Sequence, residues 1–151
     1  MMNKTRRARL SDWQAYLKLR NESDREYSKI IRAPIIAQNT KELKEDFEDV
    51  IQSKRKTIFV ATLNKELIGY LFGSYSNSRM GKIDFLFVTQ NFRKQGIATS
   101  LIKKFNAVLK SKQIKKVELE ANIRNKEAIT LYKKLGFGII SRRIKMEKKL
   151  R

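Results

Sequence analysis

The sequence of 151 residues contains no cysteine, no histidine and a single proline, Pro34. Without cysteine the chain can form no disulfide, offers no thiolate to a metal and carries no thiol nucleophile. Without histidine it lacks the commonest metal ligand and the commonest general base. Any proton acceptor in a catalytic site must therefore be a carboxylate, a tyrosine, a lysine or a chain of water molecules.

Long apolar runs and flexible linkers are also missing. No apolar stretch is long enough to span a bilayer, and none follows the basic residues near Met1, so we expect neither a membrane segment nor a secretory signal. No repeat, low-complexity segment or glycine-rich linker divides the chain. With 41% hydrophobic and 33% charged residues, the composition is typical of a soluble globular protein. We therefore predict one cytoplasmic domain over residues 1–151.

Basic residues are in large excess, with 35 Lys and Arg against 15 Asp and Glu and a formal net charge of +20. Such a surplus favours anionic partners, for example nucleic acid, the ribosome surface or an anionic cofactor. However, the basic residues are scattered, with no block of five or six like charges, which is more typical of a solvated surface. We expect nucleic acid to bind only through non-specific charge.

The hydrophobic pattern predicts the element order β-α-α-β-β-β-α-β-α-β, with a seventh strand as an option. Ser11 reads as the cap of the first helix and Asn39 as the cap of the second. Asn64-Lys65 supplies a hairpin turn, and Gly136 ends the last helix in the left-handed conformation. The strands are expected over 4–9, 57–63, 66–75, 82–88, 117–121 and 138–150, the last as one or two strands.

A basic loop joins the most apolar predicted strand to the following helix, over the segment Thr89 to Ala98. The first amides of a helix have no partner within it, and the helix dipole makes that end positive, so a phosphate binds well there. Gly96 and Ala98 are small enough to let an anion approach the backbone, and Arg93 and Lys94 add charge at the rim. Taken alone, Arg-x-x-Gly-x-Ala is more typical of an ordinary exposed turn.

A second motif lies near the C-terminus. Leu119-Glu120-Ala121 is followed by Asn125-x-x-Ala-x-x-Leu-Tyr-x-x-x-Gly-Phe, which ends at Phe137. Together with Arg-x-x-Gly-x-Ala, in this order and at this spacing, it resembles the cofactor motifs of the GNAT superfamily of N-acetyltransferases, and the resemblance runs from about Phe59 to the C-terminus. It implies a single α/β (α+β) domain whose central sheet is mixed, mostly antiparallel and six- or seven-stranded. That sheet would splay between its fourth and fifth strands, with helices on both faces.

The resemblance also implies acetyl-CoA as co-substrate, an amine as acceptor and no metal. The backbone of Leu86, Phe87 and Val88 would pair with the pantetheine arm of the cofactor. Asn125 would contact the same arm, and Tyr132 would lie near the sulfur. The main-chain amides that would hold the pyrophosphate are those of Arg93, Lys94, Gln95, Gly96, Ile97 and Ala98.

The residue types present agree with this chemistry. An amine must be neutral to attack a thioester, and a lysine amine with a pKa of roughly 10.4 is mostly protonated near neutrality, so a base or water must take its proton. The departing thiolate benefits from a proton, which the neutral hydroxyl of Tyr132 can donate. No covalent enzyme intermediate is required, in keeping with a chain that lacks cysteine and histidine.

The general base is left open. Asp84 occupies the position where some histone-acetylating relatives carry a glutamate one methylene longer, and Glu120 lies in the Leu-Glu-Ala stretch. For either residue a solvated or salt-bridged carboxylate is the commoner state, and a relay of water molecules is a third option. Tyr132 could also be a helix residue that packs on the sheet, and Asn125 could serve as a helix cap alone.

The alternative function is a catalytically inactive module that binds acetyl-CoA, RNA or the ribosome, for which the net charge of +20 speaks. The acceptor amine, a small molecule or a protein amine, cannot be identified from the sequence. It would enter near residues 27–39 and 76–81. A homodimer is compatible with the resemblance, since members of the family often form dimers.

Overall fold

The computed structural model describes residues 3–36, 38–77 and 79–150. In this part of the chain, five strands form one sheet in the order β1-β2-β3-β4-β5, and no helix is both long and apolar enough to cross a membrane. Short 3-10 turns occur at Leu10–Asp12 and Gln90–Phe92. The longer elements are β1 (Lys4–Arg7), α1 (Trp13–Ile31), α2 (Thr40–Gln52), β2 (Lys56–Leu63), β3 (Glu66–Tyr75), β4 (Met80–Val88), α3 (Ile97–Ser111), β5 (Lys116–Leu119) and α4 (Lys126–Lys134).

The sheet is mixed and mostly antiparallel, as predicted. β1, β2, β3 and β4 pair antiparallel in succession, whereas β5 runs parallel to β4. The β4–β5 pairing extends only from Met80↔Lys116 to Ile83↔Leu119, although β4 continues to Val88. The two strands therefore part, which confirms the predicted splay between the fourth and fifth strands.

Helices cover both faces of the sheet, also as predicted. On one face, α1 and α2 bury an aromatic cluster in which Tyr16 lies 4.9 Å from Phe47 and 5.0 Å from Tyr70 of β3, measured between ring centres. Trp13 lies 5.5 Å from Phe47 in the same cluster. Buried aromatic rings contribute large apolar areas, so this cluster accounts for much of the attachment of α1 and α2.

α3 packs on the opposite face and approaches the sheet closely. A Cβ added at Gly73 would lie 2.5 Å from the ring of Phe105, and one added at Gly81 would lie 2.5 Å from Leu109. Because real Cβ atoms do not come so near another atom, these two glycines permit the observed distance between helix and sheet. The close packing fixes the position of α3, whose N-terminus is joined to β4 by the loop over residues 89–96.

The first helix does not begin as predicted. Asp12, not Ser11, precedes α1, because the Asp12 carboxylate accepts hydrogen bonds from the Arg6 guanidinium at 2.7 and 2.9 Å and from the Arg9 amide at 2.7 Å. The hydrogen bond from Arg6 holds the pKa of Asp12 below its usual value. These contacts close a 3-10 turn before the helix and leave Ser11 without a capping role.

Other local signals act as predicted. Asn39 caps α2 by accepting the Glu42 amide at 2.9 Å. Asn64 and Lys65 adopt left-handed backbone angles, with φ of 49° and 70°, and make the turn between β2 and β3. Gly136 has φ of 90° just after α4. Each of these signals depends on residues only a few positions apart, so it does not depend on tertiary contacts.

The predicted final strands are wrong for the single chain. Residues 138–150 form neither helix nor strand, so the described part of the protein has five strands and not six or seven. The side chains of this segment are exposed, for example 88% for Ile144. An alternating pattern favours a strand only where a neighbouring strand edge and an apolar surface are supplied, and no strand of the described chain pairs with this segment.

Candidate active site

The loop between β4 and α3 places a helix N-terminus after the end of β4, where Phe87 and Val88 are buried. The chain reaches Gly96 in the left-handed conformation, with φ of 79°, and α3 begins at Ile97. No side chain caps this helix, and a Cβ added at Gly96 would meet no atom within 4 Å. The first intrahelical bond there joins the Ser100 amide to the Gly96 carbonyl at 2.9 Å. The amides of the first turn therefore have no intrahelical partner and no side-chain cap, as an anion site requires.

The same loop contains a second left-handed residue. Lys94 has φ of 58°, which is uncommon for a residue with a side chain, and its side chain is exposed. Residues held in such conformations cluster at functional sites, and turns of this kind bring backbone N–H groups together around anions. Lys94 precedes Gly96, the N-cap of α3, by two residues, and a role for its charge at the helix N-terminus stays a prediction.

Arg93 occupies a different place from the one predicted for its charge. Its guanidinium donates to the Val88 carbonyl at 2.8 Å and to both carboxylate oxygens of Glu26 at 2.6 and 2.7 Å. Its amide donates to the Gln90 carbonyl at 3.2 Å. The hydrogen bond to Glu26 raises the pKa of Arg93. Because both its amide and its charge are engaged within the protein, Arg93 ties α1 to the end of β4 and is not free at the rim.

The gap between β4 and β5 begins at two carboxylates. Asp84 and Glu120 are the first residues after Ile83 and Leu119, the last pair of the ladder. Beyond this point β4 still pairs with β3 on its other side, but it has no strand partner toward β5 within the described chain. A free backbone edge of this kind can pair with an extended ligand that carries amide groups. The residues of β4 along the gap include Leu86, Phe87 and Val88.

Both carboxylates at the gap are paired with other side chains. Ser74 donates to Asp84 at 2.8 Å, and the Lys82 amine lies 3.7 Å from the same carboxylate. Glu120 accepts a hydrogen bond from Arg143 at 2.6 Å. The Asp84 side chain is 22% exposed and that of Glu120 is 65% exposed. Asp84 is therefore the more shielded of the two predicted bases.

Tyr132 of α4 is a partly buried residue that packs against the core. Its ring contacts the apolar cluster between the sheet and α3, and Phe137 meets it edge-on at 5.8 Å. Burial raises the pKa of Tyr132 to about 12. Among residues 3–36, 38–77 and 79–150, no protein group is hydrogen-bonded to this hydroxyl. The hydroxyl is therefore neutral at physiological pH, and it can donate a hydrogen bond.

Asn125 caps α4 with its side-chain oxygen, which leaves the side-chain N–H groups available as donors. Its side-chain oxygen accepts the Ala128 amide at 3.3 Å, and its backbone amide donates to the Asn122 carbonyl at 2.8 Å. The side-chain amide nitrogen makes no hydrogen bond within the residues that the structure describes. Capping and ligand binding are therefore compatible for Asn125, since they use different atoms of the same side chain.

A cavity of about 580 Å³ opens between the second half of α1 and the N-terminus of α4. Arg93 and Asn125 line it, and so do Glu26 and Arg124, which were not predicted as site residues. Arg124 donates to the Ile31 carbonyl at 2.9 Å and so links the α4 entrance to the end of α1. Local sequence does not mark Glu26 or Arg124, because their partners are 67 and 93 residues away.

The model of the Acetyltransferase (GNAT) family matches residues 15–137, so the chain belongs to that family, as its two motifs implied. The match includes α1 from residue 15 onward, the β4–α3 loop and all of α4.

Two relatives with similar sequences are named as acetyltransferases. The chain is 30% identical over 97 residues to an uncharacterized N-acetyltransferase of Methanocaldococcus jannaschii, a match over 60% of this chain and 43% of that protein. It is 29% identical over 103 residues to an N-alpha-acetyltransferase of Sulfurisphaera tokodaii, over 60% of this chain and 62% of that protein. The matched region thus spans less than two thirds of either relative.

Solved structures agree on the fold. The aminoglycoside N-acetyltransferase AAC(6')-Iy, in complex with a bisubstrate analogue that contains CoA, has a TM-score of 0.80 to this chain. The two are 19% identical, and the comparison covers 99% of this chain and 100% of that one. At this identity the likeness shows the fold alone.

Proposed function

We propose that the protein transfers the acetyl group of acetyl-CoA directly to a primary amine. The observation that carries this proposal is the uncapped N-terminus of α3 beside the gap between β4 and β5, with Tyr132 packed against the same apolar cluster. An anion site, a free strand edge and a neutral proton donor suit the three parts of a CoA thioester, namely the diphosphate, the pantetheine amides and the sulfur.

Backbone groups make most of the proposed contacts to the co-substrate. The amides of the α3 entrance hold the diphosphate, the exposed Lys94 amine adds charge, and the β4 edge pairs with the pantetheine amides. Asn125 donates its side-chain N–H groups to the same arm. We leave Arg93 out of the diphosphate site because its amide and its guanidinium are already engaged. The diphosphate amides are those of Lys94, Gln95, Gly96, Ile97 and Ala98, and the edge residues are Leu86, Phe87 and Val88.

The reaction itself needs one bond made and one broken. The amine nitrogen attacks the carbonyl carbon of the thioester, and the β4 edge stabilises the oxyanion that develops. The C–S bond then breaks, and the sulfur takes the proton of the Tyr132 hydroxyl, which solvent later replaces. The proton lost by the amine passes to Asp84 or Glu120, directly or through water, and the shielded position of Asp84 favours it.

The proposal covers several classes of acceptor amine. The relatives' names point in two directions, to an α-amine for the Sulfurisphaera tokodaii protein and to an aminoglycoside for AAC(6')-Iy. A net charge of +20 repels polycationic acceptors in general, which speaks against an aminoglycoside here. A protein N-terminus, a lysine side chain, an amino acid or another small amine remain within the proposal.

Two measurements test the proposal together. Calorimetric titration with CoA reports binding, and acetyl-CoA consumption with a panel of peptide N-termini, lysine peptides, amino acids and aminoglycosides reports turnover. We expect Tyr132→Phe to keep its CoA affinity and to lower kcat by about 100-fold. Tyr75→Phe is the matched control. Tyr75 is also partly buried, but it lies at the end of the β3–β4 ladder that is remote from Val88.

The outcomes separate the alternatives. Failure to bind CoA, combined with salt-dependent binding of RNA, would replace the proposal with a basic binding module. CoA binding with no turnover on any amine would leave an inactive CoA-binding protein. Normal turnover of Tyr132→Phe would remove Tyr132 from the mechanism while leaving acetyl transfer in place.

A further inference from the structure

A second cavity, of about 300 Å³, lies where β1 and β3 end and β2 begins, beside the C-terminus of α3. Among the described residues that line it, four are cationic and none is acidic. We name these four side chains the basic cluster. They come from the end of β1, the start of β2 with the loop before it, and the end of α3, and they are Arg7, Lys54, Lys56 and Lys112.

The charges of the basic cluster are not balanced by carboxylates. All four residues are exposed, and none of them forms an ion pair within residues 3–36, 38–77 and 79–150. The Arg7 guanidinium lies 5.7 Å from the ring centre of Phe59. Lys112 caps the C-terminal end of α3, whose dipole offsets part of the positive charge. Since the remaining like charges repel one another, an anion that neutralises them gains free energy on binding.

Hydrogen bonds hold the loop that leads into β2 and carries part of the basic cluster. The Tyr75 hydroxyl donates to the Lys54 carbonyl, and the Tyr75 amide donates to the Arg55 carbonyl at 2.9 Å. Ser53 Oγ accepts the amides of Arg55 and Lys56 at 3.1 and 3.0 Å, so its own proton is still available to a ligand. The backbone of this loop is therefore ordered before a ligand binds, which lowers the cost of binding.

The fold separates charges that look scattered along the sequence. β1, β2 and α3 contain no aspartate and no glutamate, and α3 exposes Lys103, Lys104 and Lys110. α2 lies on the opposite face of the sheet and is acidic, with five carboxylates against two lysines. The α3 face is therefore positive where the α2 face is not. The acidic residues of α2 are Glu42, Glu45, Asp46, Glu48 and Asp49.

The α3 face offers cations and hydroxyl groups but no apolar anchor. None of the large hydrophobic side chains that the described chain exposes belongs to β1, β2 or α3. A protein partner would require an apolar interface core, a membrane would require apolar side chains that insert, and a single nucleic acid strand would require aromatic rings for its bases. The phosphates of a double helix require only cations and polar donors, because contacts to the backbone do not read the bases.

We propose that the basic cluster binds the phosphate backbone of a double-stranded nucleic acid, with the exposed lysines of α3 within reach of further phosphates. The contacts are electrostatic and independent of base sequence. They lie at the opposite end of α3 from the proposed diphosphate site. α3 has 15 residues, and at about 1.5 Å per residue its two ends are about 22 Å apart. The duplex and acetyl-CoA therefore do not compete for one site.

Fluorescence anisotropy with a labelled DNA duplex measures both the affinity and the number of phosphates that the protein contacts. Between about 50 and 200 mM salt, the logarithm of the binding constant falls linearly with the logarithm of the salt concentration, by about 0.9 per phosphate. We expect Lys54→Glu/Lys112→Glu to weaken binding by at least about 10-fold and to lower this slope by about two. Both side chains are exposed, so the domain should stay folded. An RNA duplex of the same sequence should respond in the same way.

Lys41→Glu/Lys44→Glu is the matched control, because it changes the net charge by the same amount on the α2 face. The two lysine side chains are 87% and 54% exposed. This variant should keep its duplex affinity within about threefold and its salt slope unchanged, since salt screens charges that do not touch the duplex. Equal losses in the two double variants would mean that binding depends on total charge and not on the basic cluster, which would overturn the proposal.

Competition with CoA tests the location of the duplex independently. Saturating CoA should leave the anisotropy titration unchanged, whereas displacement of the duplex by CoA would assign the nucleic acid to the N-terminus of α3 and contradict the proposal. Failure to bind CoA at all would remove the proposed acetyl transfer, but it would leave the comparison of the two double variants unaffected.

Two further results would speak against a double helix as the partner. One is tighter binding of a single strand than of the duplex of the same length. The other is binding to vesicles that contain phosphatidylserine, without binding to either duplex, which would assign the basic cluster to a membrane surface.

Discussion

The two walls of the gap between β4 and β5 are built in different ways. The wall made by β4 and α3 is set in the core, where Leu101 and Phe105 are fully buried and Gly73 and Gly81 let α3 lie close to the sheet. The wall made by β5 and α4 contains no fully buried residue in either element. The single chain therefore positions one wall firmly and leaves the other partly covered.

This difference corresponds to what each wall contributes. Backbone amides can bind a diphosphate only if they are held in one direction before it arrives, and burial behind them provides that order. The second wall contributes side chains, Tyr132 and Asn125, whose position depends on α4.

The largest expected effect lies in the first wall, at Gly96. We expect Gly96→Asp to lower CoA affinity by about 100-fold, because the new carboxylate takes the free amides of α3 and repels the diphosphate. Aspartate tolerates the left-handed conformation and favours helix N-caps, so α3 should persist. Calorimetric titration with CoA measures the change.

Gly136→Asp is the matched control in the second wall. Gly136 is also left-handed, with φ of 90°, and a Cβ there also meets no atom within 4 Å. The same substitution should leave CoA affinity within about threefold of the original. Equal losses at both glycines would contradict the assignment of the diphosphate to α3.

A smaller effect is expected from Tyr132 at alkaline pH. Burial raises the pKa of Tyr132 to about 12, from roughly 10 in an unfolded chain. The native state therefore keeps its proton longer, and this contribution to stability is complete below about pH 10 and is lost as the pH rises toward 12. Between pH 9 and 11, Tyr132→Phe should lose about 1 kcal/mol less unfolding free energy than the original protein.

Urea unfolding at a series of pH values measures this difference. The alkaline loss that comes from Tyr16 and Tyr70, whose pKa values burial also raises, should remain in both proteins. Tyr27→Phe serves as control because Tyr27 is exposed, and its curve should follow that of the original. If the Tyr132→Phe curve did the same, the hydroxyl would not be buried as described.

The smallest effect is expected where α1 joins the first wall. Glu26→Gln breaks a two-bond ion pair with Arg93, and since Glu26 is 32% exposed, we expect a loss of only about 1 kcal/mol of unfolding free energy at low salt. Glu127 lies 3.8 Å from Arg93 and is 61% exposed, so Glu127→Gln should cost less than about 0.5 kcal/mol.

Chemical denaturation at low and high salt measures both variants. The difference between them should shrink as salt screens the exposed part of the interaction. If Glu127→Gln lost as much unfolding free energy as Glu26→Gln, the main ion-pair partner of Arg93 would be on α4. The two walls would then be linked directly.

Much of the site could be predicted because its signals are local. Gly96 marks the turn into α3, and Asn125 and Gly136 mark the two ends of α4, each through conformations or caps that involve residues a few positions away. The role of Asp12 was missed because a cation on β1 recruits its carboxylate. The position of the Arg93 side chain was missed because its partner, Glu26, is on another element.

The sequence by itself determined the helices, the turns, the first five strands and the family, since periodicity, caps and compact motifs act over short distances along the chain. Only the tertiary structure decided that the Arg93 charge turns toward α1, that Asp84 and Glu120 stand where two strands part, and that residues 138–150 pair with no strand of the described chain. These outcomes depend on contacts between segments that are far apart in the sequence. A strand in particular forms only where another strand offers an unpaired edge.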